Sequence, residues 1–237
     1  MSSTRGLAKA GLYFSAAGTG LEGLQAEMEQ AASALLADLP PGTDLRIGRR
    51  LAGYAPLPHE VLMADSPAPF DYVFEASGGG DEAAGEPLQI AIAAMARALG
   101  TRIDRKTAAV FVGTEIAITA GDGPVFVVMP LRRVPSLSHG DFMDQWFGRH
   151  AALGEKVEGV RYRQNHVDAI STADLAGRIG LSFAPMDGLT ESYFDGLDDA
   201  LAILSREDVA VGAIEDEKRF IHHPASQFAL YETLWRS

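Results

Sequence analysis

Residues 125–167 read VFVVMPLRRVPSLSHGDFMDQWFGRHAALGEKVEGVRYRQNHV. The first seven form a continuous apolar run of strand length. Ser138, with Asp141 three residues on, predicts a helix start: a side-chain cap for the free N–H groups and an acid in the first turn. Helical spacing carries that helix to about Leu153. At 100° per residue, Met143, Trp146, Phe147 and His150 share the face that should press on a sheet. A second strand is predicted over 160–167. Its alternation sends Val160, Tyr162, Gln164, His166 and Asp168 one way, and Arg161, Arg163, Asn165 and Val167 the other.

On either side of this stretch the same alternation continues. Before it, strands are expected over 10–16, 45–51, 70–76 and 110–118, with helices over 21–36 and 87–99. Pro40, Pro41 and Gly42 end the first helix. Gly78-Gly79-Gly80-Asp81-Glu82 reads as a loop. The order β-α-β-β-α-β is the split unit of ferredoxin-like folds. The turn Gly121-Asp122-Gly123-Pro124 then separates a second pass. After the strand–helix–strand of 125–167 come a strand over 189–194, helix over 197–212 broken near Ser205, a short strand over 219–222 and an edge strand over 228–234. The predicted class is α+β, with two tandem ferredoxin-like repeats at residues 1–120 and 124–237. Each sheet covers one face with helices, and the remaining apolar faces can pack on each other as a barrel. Residues on the inner sheet faces would then line a pocket. A monomeric pseudo-dimer and a homodimer both satisfy this pattern, each leaving an edge strand.

The chain of 237 residues is 47% hydrophobic, enough for a sizeable core. It has no Cys, hence no disulfide framework and no thiolate nucleophile. Its formal charge of −12 repels a phosphate polyanion, so nucleic acid is not an expected partner. No apolar run approaches the roughly 20 residues of a membrane span, and MSSTRGLAKAGLYF lacks a signal-peptide core. The expectation is a cytoplasmic protein without a membrane partner.

Several motifs fail on inspection. Gly18-Thr19-Gly20-Leu21-Glu22-Gly23 has the letters of a dinucleotide fingerprint, but no parallel βαβ series or ribose-binding acid follows. Its glycines serve a tight turn and helix start instead. Ser77-Gly78-Gly79-Gly80 lacks the lysine of a phosphate loop. No GxSxG elbow exists. His222 and His223, adjacent on an expected strand, would face opposite ways, so no metal site is expected.

Four pieces recur in order and at sensible spacing. They are Phe142-x-x-x-Trp146-x-x-x-His150, Tyr162-x-Gln164-Asn165-His166-Val167, Met186-Asp187-Gly188-Leu189 and Asp216-Glu217-Lys218-Arg219-Phe220-Ile221. Together they resemble the EthD family, of the dimeric α+β barrel superfamily. The resemblance covers 125–235; the N-terminal half joins it by topology alone. It implies a small apolar or aromatic ligand. EthD proteins are associated with ether degradation by oxygenase systems, and similar fungal proteins act as small decarboxylases or dehydratases in aromatic polyketide pathways. No single reaction follows from the fold.

His150 reads either as a core imidazole pinning helix to strand or as a general base or its orienter. Tyr162, Gln164 and His166 can present a phenol, an amide and an imidazole to one carbonyl-bearing ligand, or their face meets solvent. His150 and His166 are therefore candidate bases and Tyr162 a candidate donor. Trp146, Gln164, Asn165, Glu191, Tyr193 and Phe220 are candidate ligand contacts. Glu191 shares a strand face with Leu189, Tyr193 and Asp195; it is an acid or base if that face is inner, and a solvated carboxylate otherwise. Asp216 and Arg219 read as an ion pair or helix end.

Three functions fit. One is a cofactor-independent cyclase, dehydratase, decarboxylase or isomerase of aromatic or polyketide-like compounds. Another is a haem protein, because tandem-repeat barrels such as the chlorite dismutase family bind haem through one His. The third is a non-catalytic carrier of small apolar compounds.

Overall fold

The computed structural model describes residues 6–18, 22–78, 85–181 and 185–237. The first half supplies strands β1 (Leu7–Phe14), β2 (Asp44–Arg50), β3 (Tyr72–Gly78) and β4 (Ala109–Ala117). The second supplies β5 (Val125–Leu131), β6 (Arg161–Val167), β7 (Gly188–Phe194) and β8 (Ala229–Arg236). Helices α1 (Leu24–Leu36) and α3 (Gly85–Leu99) stand between the strands of the first half, with short α2 (Pro58–Leu62) after β2. In the second half stand α4 (His139–Gln145), α5 (Ala151–Gly154), α6 (Ala169–Ile179), α7 (Leu197–Leu204) and α8 (Glu207–Glu217). None of the described helices is long and apolar enough to cross a membrane.

The eight strands close a barrel in the order β1-β3-β2-β8-β5-β7-β6-β4. Every neighbouring pair is antiparallel. The first four strands lie as 4-1-3-2 and the last four as 8-5-7-6, the same ferredoxin-like order twice. The expected α+β barrel is present, and one chain closes it. The seams are β2–β8 and β4–β6. At the second seam a Cβ on Gly113 would lie 1.9 Å from the His166 carbonyl oxygen, so glycine is what lets the backbones meet.

Two expected strands need correction. Residues 219–222 form no strand of the barrel; only an isolated bridge joins Ile221 to Arg133. A 3-10 turn, His223–Ala225, follows at once, and Pro224 has no N–H to give a ladder. The strand after it, β8, therefore takes the fourth place. It is paired on both sides, by β2 and β5, so it is not an edge. The helices α2 and α6 were not anticipated.

Strand alternation puts one residue set outside and the other inside the barrel. Outside, Leu12, Phe14, Ile47 and Phe74 pack under Met28, Leu88, Ile92 and Met95 of α1 and α3. On the other side, Val127, Met129, Phe194 and Leu230 meet Phe142, Trp146, Ile203 and Phe220. Inside, Tyr13, Phe111, Phe126, Leu189, Tyr193 and Tyr231 surround charged groups.

Those inner charges balance. Lys9 reaches Glu115 at 3.2 Å and Glu75 at 3.4 Å, and donates to Glu191. Arg46 bonds Glu191 at 2.6 Å and also Glu75. Arg163 reaches Glu115 at 3.1 Å, and the Tyr13 hydroxyl donates to Glu75 at 2.8 Å. Burial by itself would raise the Glu191 carboxyl; Lys9 and Arg46 overcome this and hold it well below the usual carboxylate range. Burial would likewise lower the Lys9 ammonium, yet Glu191, Glu75 and Glu115 hold it protonated above its ordinary value. Desolvation of this set is offset only because each group has several partners.

Candidate functional site

A cleft of about 330 Å³ opens on the outer face of the second sheet, between β5–β7 and the helices over them. Val127, Met129, Val157, Val160, Leu204 and Phe228 make much of its wall apolar. His59, Trp146, His150, Tyr162, Thr190, Ser192 and Glu217 bring polar groups to it. The cleft lies outside the barrel, so the inner strand faces do not line it as expected.

The helix begun by Ser138 explains part of this shape. The Ser138 hydroxyl accepts from Asp141 N–H at 3.1 Å, and Asp141 returns a bond, as the sequence predicts. The helix then changes pitch: Trp146–His150 is a π-helical turn between α4 and α5. A wider turn carries an extra residue and shifts the facial phase. Trp146 is fully buried, while Phe147 is 42% exposed, which corrects its placement on the sheet-facing side. The two amide hydrogens of Gln164 go to the Trp146 carbonyl at 3.0 Å and the Tyr162 oxygen at 2.9 Å. Tyr162 keeps its own proton as a donor, and burial pushes it up to about 12. Gly188 makes room for the indole: a Cβ there would lie 2.4 Å from the Trp146 ring.

Helix α8 presents two successive carboxylates. Asp216 lies 2.9 Å from Nδ1 of His150 and also pairs with Arg219 at 3.3 Å. Glu217 lies 3.0 Å from His223 Nε2, 3.3 Å from His59 Nε2 and 3.9 Å from His150 Nε2. Burial would raise Glu217, but the charge of His59 and the hydrogen bonds of His223 and His59 hold it well below the usual carboxylate range. Phe220 packs its ring 5.3 Å from His150, edge on.

The anticipated residues thus divide. Trp146, His150 and Tyr162 line the cleft, and Gln164 and Phe220 support them from behind. His166 is not in the lining; it packs on Trp146 and Phe147 at 5.5 and 4.9 Å. Burial, with the charge of His139, pulls its imidazole down to about 4. Asn165, Glu191 and Tyr193 face the barrel interior, where Asn165 donates to Glu191 at 3.1 Å. Among the described residues no group of His, Asp and Glu is arranged to hold a metal ion.

His59 and Glu217 were not anticipated as site residues. His59 comes from α2, in a Pro-rich connection without periodicity, and its carboxylate partner is 158 residues away. Glu217 stands inside a motif but next to Asp216, so nothing marked which of the two is buried.

Residues 134–224 match the EthD domain. No curated protein matches the chain. Among solved structures, a monooxygenase candidate from Lactobacillus acidophilus aligns with a TM-score of 0.57 at 11% identity, covering 98% of this chain and 96% of that one. A chlorite dismutase candidate aligns at 0.55 and 11%, covering 97% and 95%. An anthrone oxidase-like protein aligns at 0.57 and 12%, covering 99% and 94%. At these identities the likeness is one of fold, and it extends over nearly the whole of each chain. The stretch that supplies Trp146, His150, Tyr162, Asp216 and Glu217 therefore matches the EthD domain and lies within the second half of an α+β barrel.

Proposed function

We propose that the cleft binds a small aromatic or polyketide-like compound and catalyses proton transfer on it without a cofactor, with His150 as the base. The observation that carries this reading is the Asp216–His150 bond of 2.9 Å at the wall of an apolar cavity. A carboxylate on Nδ1 fixes the tautomer and stabilises the imidazolium that forms when Nε2 takes a proton. The Tyr162 phenol, held protonated, is the donor for oxygen charge developing on an enolate. The unit 1–120 closes the barrel, and the unit 124–237 carries the chemistry. Cyclisation, dehydration, decarboxylation and isomerisation all need this step.

The test is exchange of the acidic C–H protons of 2-tetralone in deuterium oxide, followed by proton NMR. The protein accelerates exchange, and His150→Ala loses on the order of 100-fold of that rate. Exchange at the buffer rate, with the ketone bound, makes the protein a carrier. Exchange that survives His150→Ala removes His150 from the role.

A haem reading is favoured by the same bond, because metal-ligating imidazoles usually donate their other nitrogen to a carboxylate. His150 would hold the iron, and the apolar wall of the cleft would take the ring. Haem would supply one-electron and oxygen chemistry. A Soret band in the purified protein, absent from His150→Ala, identifies that case.

A further inference from the structure

We propose that His59 is a ligand-contacting residue of the cleft, lent by the first half of the chain, and that the ligand is a hydroxylated aromatic whose O–H donates to His59 Nδ1. This rests on the reading of the cleft as a small-molecule site. His59 is only 6% exposed and forms part of the cleft wall. Its ring stacks on Phe228 with centroids 5.0 Å apart, nearly parallel. Its Nε2 lies 3.4 and 3.3 Å from the two oxygens of Glu217. An ionised carboxylate only accepts, so Nε2 carries the hydrogen, and in the neutral form of the ring, the form that takes this ligand, Nδ1 is an acceptor. That Nδ1 is buried and has no hydrogen-bond partner. Native structures leave few buried polar atoms in this state.

The missing partner is thus a donor, and it must be compatible with the walls. Val127, Met129, Leu204 and Phe228 favour an apolar ring. The Glu217 carboxylate on the far edge of the same imidazole opposes an anionic group and leaves a neutral hydroxyl as the fitting donor. His59 lies outside the EthD match, so this contact belongs to the tandem arrangement and not to the domain alone.

The experiment compares 2-naphthol with 2-methoxynaphthalene, which keeps the ring and loses the donor. Each is titrated into the full chain and into His59→Phe while the fluorescence of cleft-lining Trp146 is followed. The wild type prefers the naphthol by about 10-fold, the expected effect of one satisfied buried acceptor. His59→Phe, which keeps a ring on Phe228, binds the two probes within about two-fold of each other, with the methoxy affinity unchanged. In the wild type, the His59 Nδ1 nitrogen resonance moves upfield with naphthol and stays with the methyl ether. That measurement stands even if the variant does not fold. Equal binding of both probes to the wild type, or a preference that survives in His59→Phe, overturns the assignment while leaving the cleft reading in place. Failure of both probes to bind the wild type overturns the two together.

Discussion

Asp216 holds His150 by Nδ1 at 2.9 Å, while the next residue, Glu217, bonds a different imidazole, His223, at 3.0 Å. Successive helical positions diverge by about 100°, so one turn of α8 can serve two rings. The ring at the cleft wall with a carboxylate of its own is His150. Asp216→Asn keeps the shape and removes the charge; its amide can also donate, which favours the wrong tautomer. Tetralone exchange should fall 10- to 100-fold, roughly, with tetralone affinity unchanged. Rates measured across tetralone concentration separate the two. A rate within two-fold of wild type would mean that Asp216 does not orient the base.

Inside the barrel, Lys9 faces Glu75, Glu115 and Glu191 with 2% of its surface exposed. Lys9→Met leaves these buried carboxylates short of a cation. The cost should be about 3–5 kcal/mol, read as a lower urea midpoint. Arg49→Ala is the comparison, because Arg49 pairs with Glu232 at the surface. It should cost under about 1 kcal/mol. Equal losses would show that the inner set is not what holds the barrel closed.

That contrast also explains what could be read without coordinates. The strand at 125–131 stands out because its apolar run has strand length, that at 189–194 shows only alternation, and the Ser138–Asp141 cap announces its helix. The break near Ser205 is visible as a loss of spacing, and α7 and α8 meet there. Glu191 stays ambiguous in the sequence because a charge in an alternating strand normally marks the wet face, whereas a closed barrel buries both faces. The π turn has no residue signature, so the shift that turns Phe147 outward is silent. Asp168 caps α6 by accepting from Ile170 and Ser171, a signal hidden by its place at the end of a strand. His59 meets Glu217 only through the β2–β8 seam, and pairing across a seam is not written in either segment.

Gly188 gives a sharper test of how the cleft wall is set. A methyl group there would come within 2.4 and 2.6 Å of the Trp146 ring. The indole is fully buried against Phe142, with centroids 5.4 Å apart, so it cannot step aside freely. Gly188→Ala should cost about 1–3 kcal/mol by overpacking and weaken 2-naphthol binding. Gly148, in the same π turn as Trp146, has open space where its Cβ would go. Gly148→Ala should be neutral or stabilising by up to about 1 kcal/mol, with binding retained. If Gly188→Ala matched it, Trp146 would not be wedged by the β7 backbone.

His166 predicts how stability follows pH. Burial, then the charge of His139, lowers its imidazole from 6.5 to about 4 in the fold. The unfolded chain therefore binds a proton near pH 6.5 that the folded protein refuses until about pH 4. The contribution of neutral His166 is complete above pH 6.5. It is lost progressively as pH falls through this window and changes no further below it. Glu217, lowered below its ordinary 4.5, acts in the same direction but mainly below that value. Urea midpoints measured between pH 7.5 and 4 should decline for the wild type. His166→Phe, which can still pack on Trp146 and Phe147, should flatten the decline between pH 6.5 and 4.5. A variant that tracks the wild type across that interval would place the sensitivity with another group and leave His166 a ring like its neighbours.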